Sequence, residues 1–169
     1  MQANGIIGDP FYRFNEVKQA WISNYTWVYT TKFDIMADKL FDLHIVFEAV
    51  DTIAEIKLND IVIGKTTNEF VYYVFELDEE TLKIRGNILE ISIESSLKYA
   101  KWQNYSYPYE VPQTENYNVW AEPSNRQFIR KTGSDFGWDW GPSLIPIGIP
   151  GRIYIPYWDY GTLFNPIIH

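Results

Sequence analysis

Between Leu43 and Ile93, apolar side chains recur at every second position. Leu43, Ile45, Phe47 and Ala49 share one parity, with His44 and Glu48 on the other. Ala54, Ile56 and Leu58 alternate with Glu55, Lys57 and Asn59. Val71, Tyr73, Phe75 and Leu77 repeat the pattern, as do Leu89, Ile91 and Ile93 against Glu90, Ser92 and Glu94. Successive side chains of a strand point to opposite faces, so each run describes a strand with one buried and one wet face. Asn59-Asp60, between Leu58 and Ile61, reads as a tight hairpin turn. Arg85-Gly86-Asn87 reads as another, and Trp27–Phe33, rich in aromatic and β-branched residues, as a further strand. Short strands separated by turn signals predict an all-β chain built as a β-sandwich.

Helical periodicity is poor. A short helix is expected over Asn15 to Trp21, capped by Asn15, and a single turn over Thr81 to Ile84. Lys98 to Glu122 carries many tyrosines, two prolines and little alternation, and reads as a long irregular connection. Gln127–Lys131 and Arg152–Tyr157 read as the last strands, and Pro150, Pro156 and Pro166 mark the tail as an edge or linker.

Composition narrows the chemistry. The chain has 169 residues, 46% of them hydrophobic and 18% aromatic. That suits one domain with a sizeable core and argues against disorder. The net charge of −8, with no basic cluster longer than Arg130-Lys131, argues against nucleic acid as a partner. No apolar run reaches the ~20 residues of a membrane span. The absence of cysteine excludes disulfides and thiolate metal sites. The two histidines, His44 and His169, leave little material for an imidazole metal site or a serine–histidine triad. The N-terminal segment shows no charged leader followed by an apolar stretch, so no signal peptide is visible. Sequons occur at Asn24 and Asn104, and both are candidate glycosylation sites.

The densest chemistry lies in Thr132–Ser143, TGSDFGWDWGPS, where Trp138 and Trp140 flank Asp139 between glycines. Indole faces cover the apolar C–H faces of sugars, and an ionised carboxylate accepts from two hydroxyls. Trp138, Asp139 and Trp140 are therefore candidate sugar-binding residues. The same residues also describe a buried tryptophan pair closing a sandwich, with Asp139 capping backbone amides. Extended backbone would send the two indoles to one side and the carboxylate to the other. Elsewhere, Glu48, Glu55, Glu90 and Glu94 fall on polar strand faces and read as solvated, as do Asp78-Glu79-Glu80, Arg130-Lys131 and His44. Asp9–Phe14, DPFYRF, reads as an aromatic-rich entry packed to anchor the chain end, with Asp9 and Arg13 as a candidate contact. No pair of carboxylates stands out at the spacing of a glycosidase acid and nucleophile, ~5–5.5 Å or ~6.5–9.5 Å.

Four segments in order carry a resemblance: GDPFYRFNE (Gly8–Glu16), WVYTTKF (Trp27–Phe33), FEAVDTIAEIKLNDIVIGKTTNEF (Phe47–Phe70) and FIRKTGSDFGWDWGPS (Phe128–Ser143). Together they resemble the N-terminal sugar-binding domain of β-mannosidases in glycoside hydrolase family 2, over nearly the whole chain. The resemblance implies a jelly-roll, galactose-binding-like sandwich over residues 1–157, with 158–169 a truncated tail or linker. It implies a parent enzyme that removes terminal β-linked mannose from oligosaccharides with retention and without a cofactor. In that parent, immunoglobulin-like domains and a (β/α)8 barrel follow, and two barrel glutamates do the chemistry. Trp138, Asp139 and Trp140 match the loop that reaches toward the barrel's active site, so the implied role is substrate binding. No catalytic residue is expected in this chain. Family members have a strand ahead of the segment that matches Gly8–Glu16, and usually glycine-isoleucine-tryptophan where Gly148-Ile149-Pro150 stands here. A fragment lacking that first strand is therefore expected. Animal members are lysosomal, which agrees with the sequons. The competing readings are a free-standing carbohydrate-binding module and a domain whose tryptophan-rich loop packs on another protein.

Overall fold

The computed structural model describes residues 1–2, 5–35, 43–112 and 125–156. Among the described residues seven strands run in chain order: β1 (Trp27–Phe33), β2 (Leu43–Phe47), β3 (Ala54–Leu58), β4 (Ile61–Thr66), β5 (Tyr73–Leu77), β6 (Asn87–Ile93) and β7 (Ile153–Tyr154). They form two antiparallel sheets, ordered β1-β6-β3-β4 and β5-β2-β7. The alternation places the core as expected. Ile56 and Leu58 of β3, Leu89, Ile91 and Ile93 of β6, and Leu43, Ile45 and Phe47 of β2 are all buried between the sheets.

Local signals set the register. Asn59 and Asp60 both adopt positive φ, 51° and 69°, as a two-residue turn between twisted strands requires. The Asn59 side chain donates to the Thr81 carbonyl at 2.6 Å, and its oxygen accepts from the Ile88 amide at 2.9 Å. The β3–β4 turn is thereby tied to the one before β6. Gly64 is fixed by packing: a Cβ there would stand 2.1 Å from the Phe75 ring, which lies across from it in the other sheet.

Several expectations need correction. The chain is mostly β but not purely so. Helix α1 spans Asn15–Lys18 and α2 spans Ser96–Ser106. Helix α2 occupies the start of the stretch expected to be irregular, and Ser95 caps it by accepting from the Lys98 amide at 3.1 Å. Residues 113–124 of that stretch lie outside the described residues. Helix α1 starts at Asn15 but is not capped by it; the Asn15 side chain donates instead to the Asp9 carbonyl at 2.7 Å. Asp9 itself accepts from the Phe11 amide, the Arg13 guanidinium lies over the Tyr12 ring, and Phe11, Tyr12 and Phe14 are exposed, so the segment is not packed into the core as expected. The turn near Thr81 runs back to Asp78, whose carboxylate accepts from the Thr81 amide and hydroxyl, and it does not extend to Ile84 as a helix.

The segment Gln127–Lys131 is not a strand of either sheet. A 3-10 turn covers Arg126–Phe128, and a single bridge joins Arg130 to Asn68. The final strand is two residues long and pairs with β2 at the edge of its sheet, between Pro150 and Pro156. The proposed tail, 158–169, and Pro166 lie outside the described residues. A second apolar cluster, Ile53, Ala100, Ile129, Phe136 and Ile145, packs α2 against the segment that carries the tryptophan motif. Among the described residues no helix is long and apolar enough to cross a membrane.

Candidate sugar-binding loop and its buried charge cluster

The tryptophan motif closes on itself. The Trp138 amide donates to the Gly141 carbonyl at 3.1 Å, and the Gly141 amide donates back to the Trp138 carbonyl at 3.3 Å. Asp139 and Trp140 therefore occupy the two corners of a tight turn. The extended geometry that would separate indoles from carboxylate does not occur, and neither does the buried tryptophan pair. Trp138 is 38% and Trp140 78% exposed, and Asp139 is exposed as well. Gly137, at φ +96°, supplies the backbone reversal that leads into the turn.

The turn borders a cleft of about 1210 Å³. Trp138 and Trp140, Phe11 and Val17, and Leu97 and Lys98 at the start of α2 are among its lining. The lining does not include Asp139, whose position at the corner of the turn leaves it beside the cleft. Arg126, which the sequence did not single out, steadies the near side of the loop. Its guanidinium lies 4.7 Å from the Trp138 ring centroid and donates to the Gly133 carbonyl at 3.2 Å.

The segment that leads into this loop carries a buried charge cluster. Lys131 was expected to be solvated; its side chain is completely buried. The ammonium donates to both oxygens of Asp51, at 2.6 and 2.5 Å, and pairs with Asp135 at 2.8 Å and Glu69 at 3.6 Å. Glu69 in turn accepts from the Thr132 amide at 2.7 Å and from the Thr132 hydroxyl. Asp51 also accepts from the Thr52 hydroxyl, and its backbone exchanges hydrogen bonds with Gly148. Two signals pointed here. Lys131 has the parity of buried Ile129, with exposed Arg130 between them, and Asp51 with Thr52 stands between the apolar Val50 and Ile53.

The electrostatics follow from three carboxylates facing one ammonium. Burial pushes the Asp51 carboxyl up to about 6, beyond what contact with Lys131 and Thr52 restores. Burial also opposes the charge on Glu69, but the Thr132 hydrogen bonds and Lys131 outweigh it and hold its carboxyl below the usual range. Tyr29, which lines the cleft and donates to the Ile147 carbonyl at 2.8 Å, is raised by burial and then by the charge of Asp51. Oxygens of Asp51, Glu69 and Asp135 lie within 4.8 Å of one another, a grouping with the composition of a hard-cation site. Here the Lys131 ammonium supplies the positive charge. The two sequons are presented differently: Asn24 is exposed at the end of a 3-10 turn, and Asn104 is half-buried within α2.

Comparison with known proteins agrees with this architecture. The glycosyl hydrolase 2 galactose-binding domain-like family matches residues 1–151. The chain is 36% identical to the β-mannosidase of Rattus norvegicus over 156 residues, covering 88% of this chain and 17% of that protein. It is 32% identical to β-mannosidase A of Aspergillus terreus over 151 residues, covering 85% of this chain and 16% of that protein. The crystal structure of β-D-mannosidase from Dictyoglomus thermophilum superposes with a TM-score of 0.83 at 33% identity, covering 93% of this chain and 19% of that one. The chain thus spans less than a fifth of the length of these relatives, which implies that they contain further domains. With two antiparallel sheets, the ordered motifs and a match over nearly its whole length, this chain belongs to the glycosyl hydrolase 2 galactose-binding domain-like family.

Proposed function

We propose that the chain forms one wall of the active site of a β-mannosidase that hydrolyses terminal, non-reducing β-D-mannose residues of oligosaccharides. In this reading Trp138, Asp139 and Trp140 bind the substrate, and the catalytic carboxylates lie in the immunoglobulin-like and barrel part of the parent enzyme, on the barrel. The observation that carries it is the exposed Trp138–Gly141 turn beside the cleft, in a chain homologous to β-mannosidases. Apolar indoles left in water beside a cleft suit the C–H faces of a sugar ring better than they suit the interior of a sandwich. An exposed carboxylate at the corner of the turn is free to accept from hydroxyls. The Asp51, Glu69 and Asp135 carboxylates suit an anchoring role, because a buried ammonium binds all three.

The 169-residue chain alone is expected to leave an aryl β-mannoside intact. Hydrolysis would contradict the placement of the catalytic carboxylates outside it. Calorimetry on the same chain separates the second reading. A free-standing carbohydrate-binding module would bind mannose or mannan measurably, whereas a wall lacking the rest of its site would not. A lysosomal or secreted parent further predicts a glycan at the exposed Asn24, seen as a mass lost on glycosidase treatment.

A further inference from the structure

We propose that Lys131 is a positioning residue for the sugar-binding turn: its buried ammonium joins Asp51 on the sandwich to Asp135 at the base of the loop and so sets where Trp138–Gly141 stands. The consequence for sugar binding rests on the function proposed above; the positioning itself does not. The geometry divides into two halves. On the sandwich side, Asp51 is locked through its backbone to Gly148 and followed by Thr52, whose carbonyl accepts from the buried Thr66 hydroxyl at 2.8 Å. On the loop side, Asp135 lies in the 3-10 turn Gly133–Phe136, three residues before Trp138. Lys131 bonds to both.

Glu69 adds a parallel tie. Its carboxylate holds Thr132, and its own amide donates to the Arg130 carbonyl at 3.1 Å. The residues on either side of Lys131 are thus fixed to the segment at 69, while the ammonium reaches across to Asp51. Buried ion pairs add little net stability over apolar packing, but they are directional, and a missing partner is costly. A cluster of this kind fits the task of fixing one loop position better than that of holding a core together.

The test uses hydrogen exchange by mass spectrometry on the 169-residue chain. Loop amides with internal partners report the position: Asp135 to the Thr132 carbonyl, Gly137 to the Ser134 carbonyl, and the Trp138–Gly141 pair. Asp135→Asn removes the charge at a partly exposed residue. It is expected to speed exchange of peptide 132–143 by about tenfold or more, the range for a charged hydrogen bond, with β2, β3 and β6 unchanged. Asp135→Glu, which keeps the carboxylate at this partly exposed position, is expected to restore most of the protection. Lys131→Met is expected to exceed Asp135→Asn in the loop. Should that variant fail to fold, the Asp135 pair decides the matter. Unchanged exchange of 132–143 in folded Asp135→Asn, or loss in Asp135→Glu equal to that in Asp135→Asn, would overturn the proposal. The proposed sugar site fails separately, through unchanged mannoside kinetics of Asp139→Ala in the full-length protein with loop exchange as predicted.

Discussion

Between the sheets, Phe47, Ile56, Leu58 and Ile93 are sealed from water among hydrocarbon neighbours. Around Lys131, in the segment leading to the Trp138–Gly141 turn, an ammonium and three carboxylates are packed together instead. Apolar burial is non-directional, so the first region places two sheets face to face and tolerates exchanges of similar volume. The charge cluster is directional and unforgiving, so it fixes one segment in one place. The contrast separates the part of the molecule that supplies stability from the part that supplies position.

Substitutions should divide along that line. The largest effect is expected from Phe47→Ala, which empties the centre of the sandwich and should cost about 3–5 kcal/mol. Chemical denaturation should register it as loss of the whole fold, and hydrogen exchange should rise in all strands together. A loss confined to the loop would mean that the sandwich core does not supply the stability.

A second difference lies in the pH response of Asp51. Its folded carboxyl is pushed up to about 6, above its unfolded value, because burial penalises the charge. The folded state therefore holds the proton more tightly than the unfolded state. Ionised Asp51 weakens the fold above about pH 6, and that penalty is relieved as pH falls through 6 toward 4. Asp51→Asn lacks this titration. The urea midpoint of the native chain relative to Asp51→Asn should rise between pH 7 and pH 5. A relative fall would mean that contact with Lys131 outweighs burial and depresses the Asp51 carboxyl.

The smallest stability effect is expected at the tip. Trp140→Ala removes a side chain that is 78% exposed and should change unfolding free energy by no more than about 0.5 kcal/mol. A larger loss would mean that the indole packs in the fold and is not held out for a ligand.

The two regions also differed in how far they could be read in advance. The sandwich was legible because its determinants are local. Period-two runs placed β2, β3, β5 and β6, and Asn59-Asp60 placed a turn whose positive φ values suit those residue types. Helix α2 escaped because its tyrosines, Trp102 and Asn104 form no apolar stripe. The charge cluster escaped for a different reason. Asp51 lies 80 residues from Lys131, so the pairing exists only once the sheets have brought the two segments together. The tryptophans were recognised as a site candidate, but their exposure depends on two backbone hydrogen bonds that convert an extended reading into a turn.

In the proposed function the turn grips sugar. Its most direct test is the kinetics of Asp139→Ala in the full-length protein acting on an aryl β-mannoside. The variant should fold normally while kcat/KM falls by roughly tenfold to a hundredfold, the cost of one or two charge-assisted hydrogen bonds. Unchanged kcat/KM in a correctly folded variant would contradict the claim and leave the exposed carboxylate without a part in substrate binding.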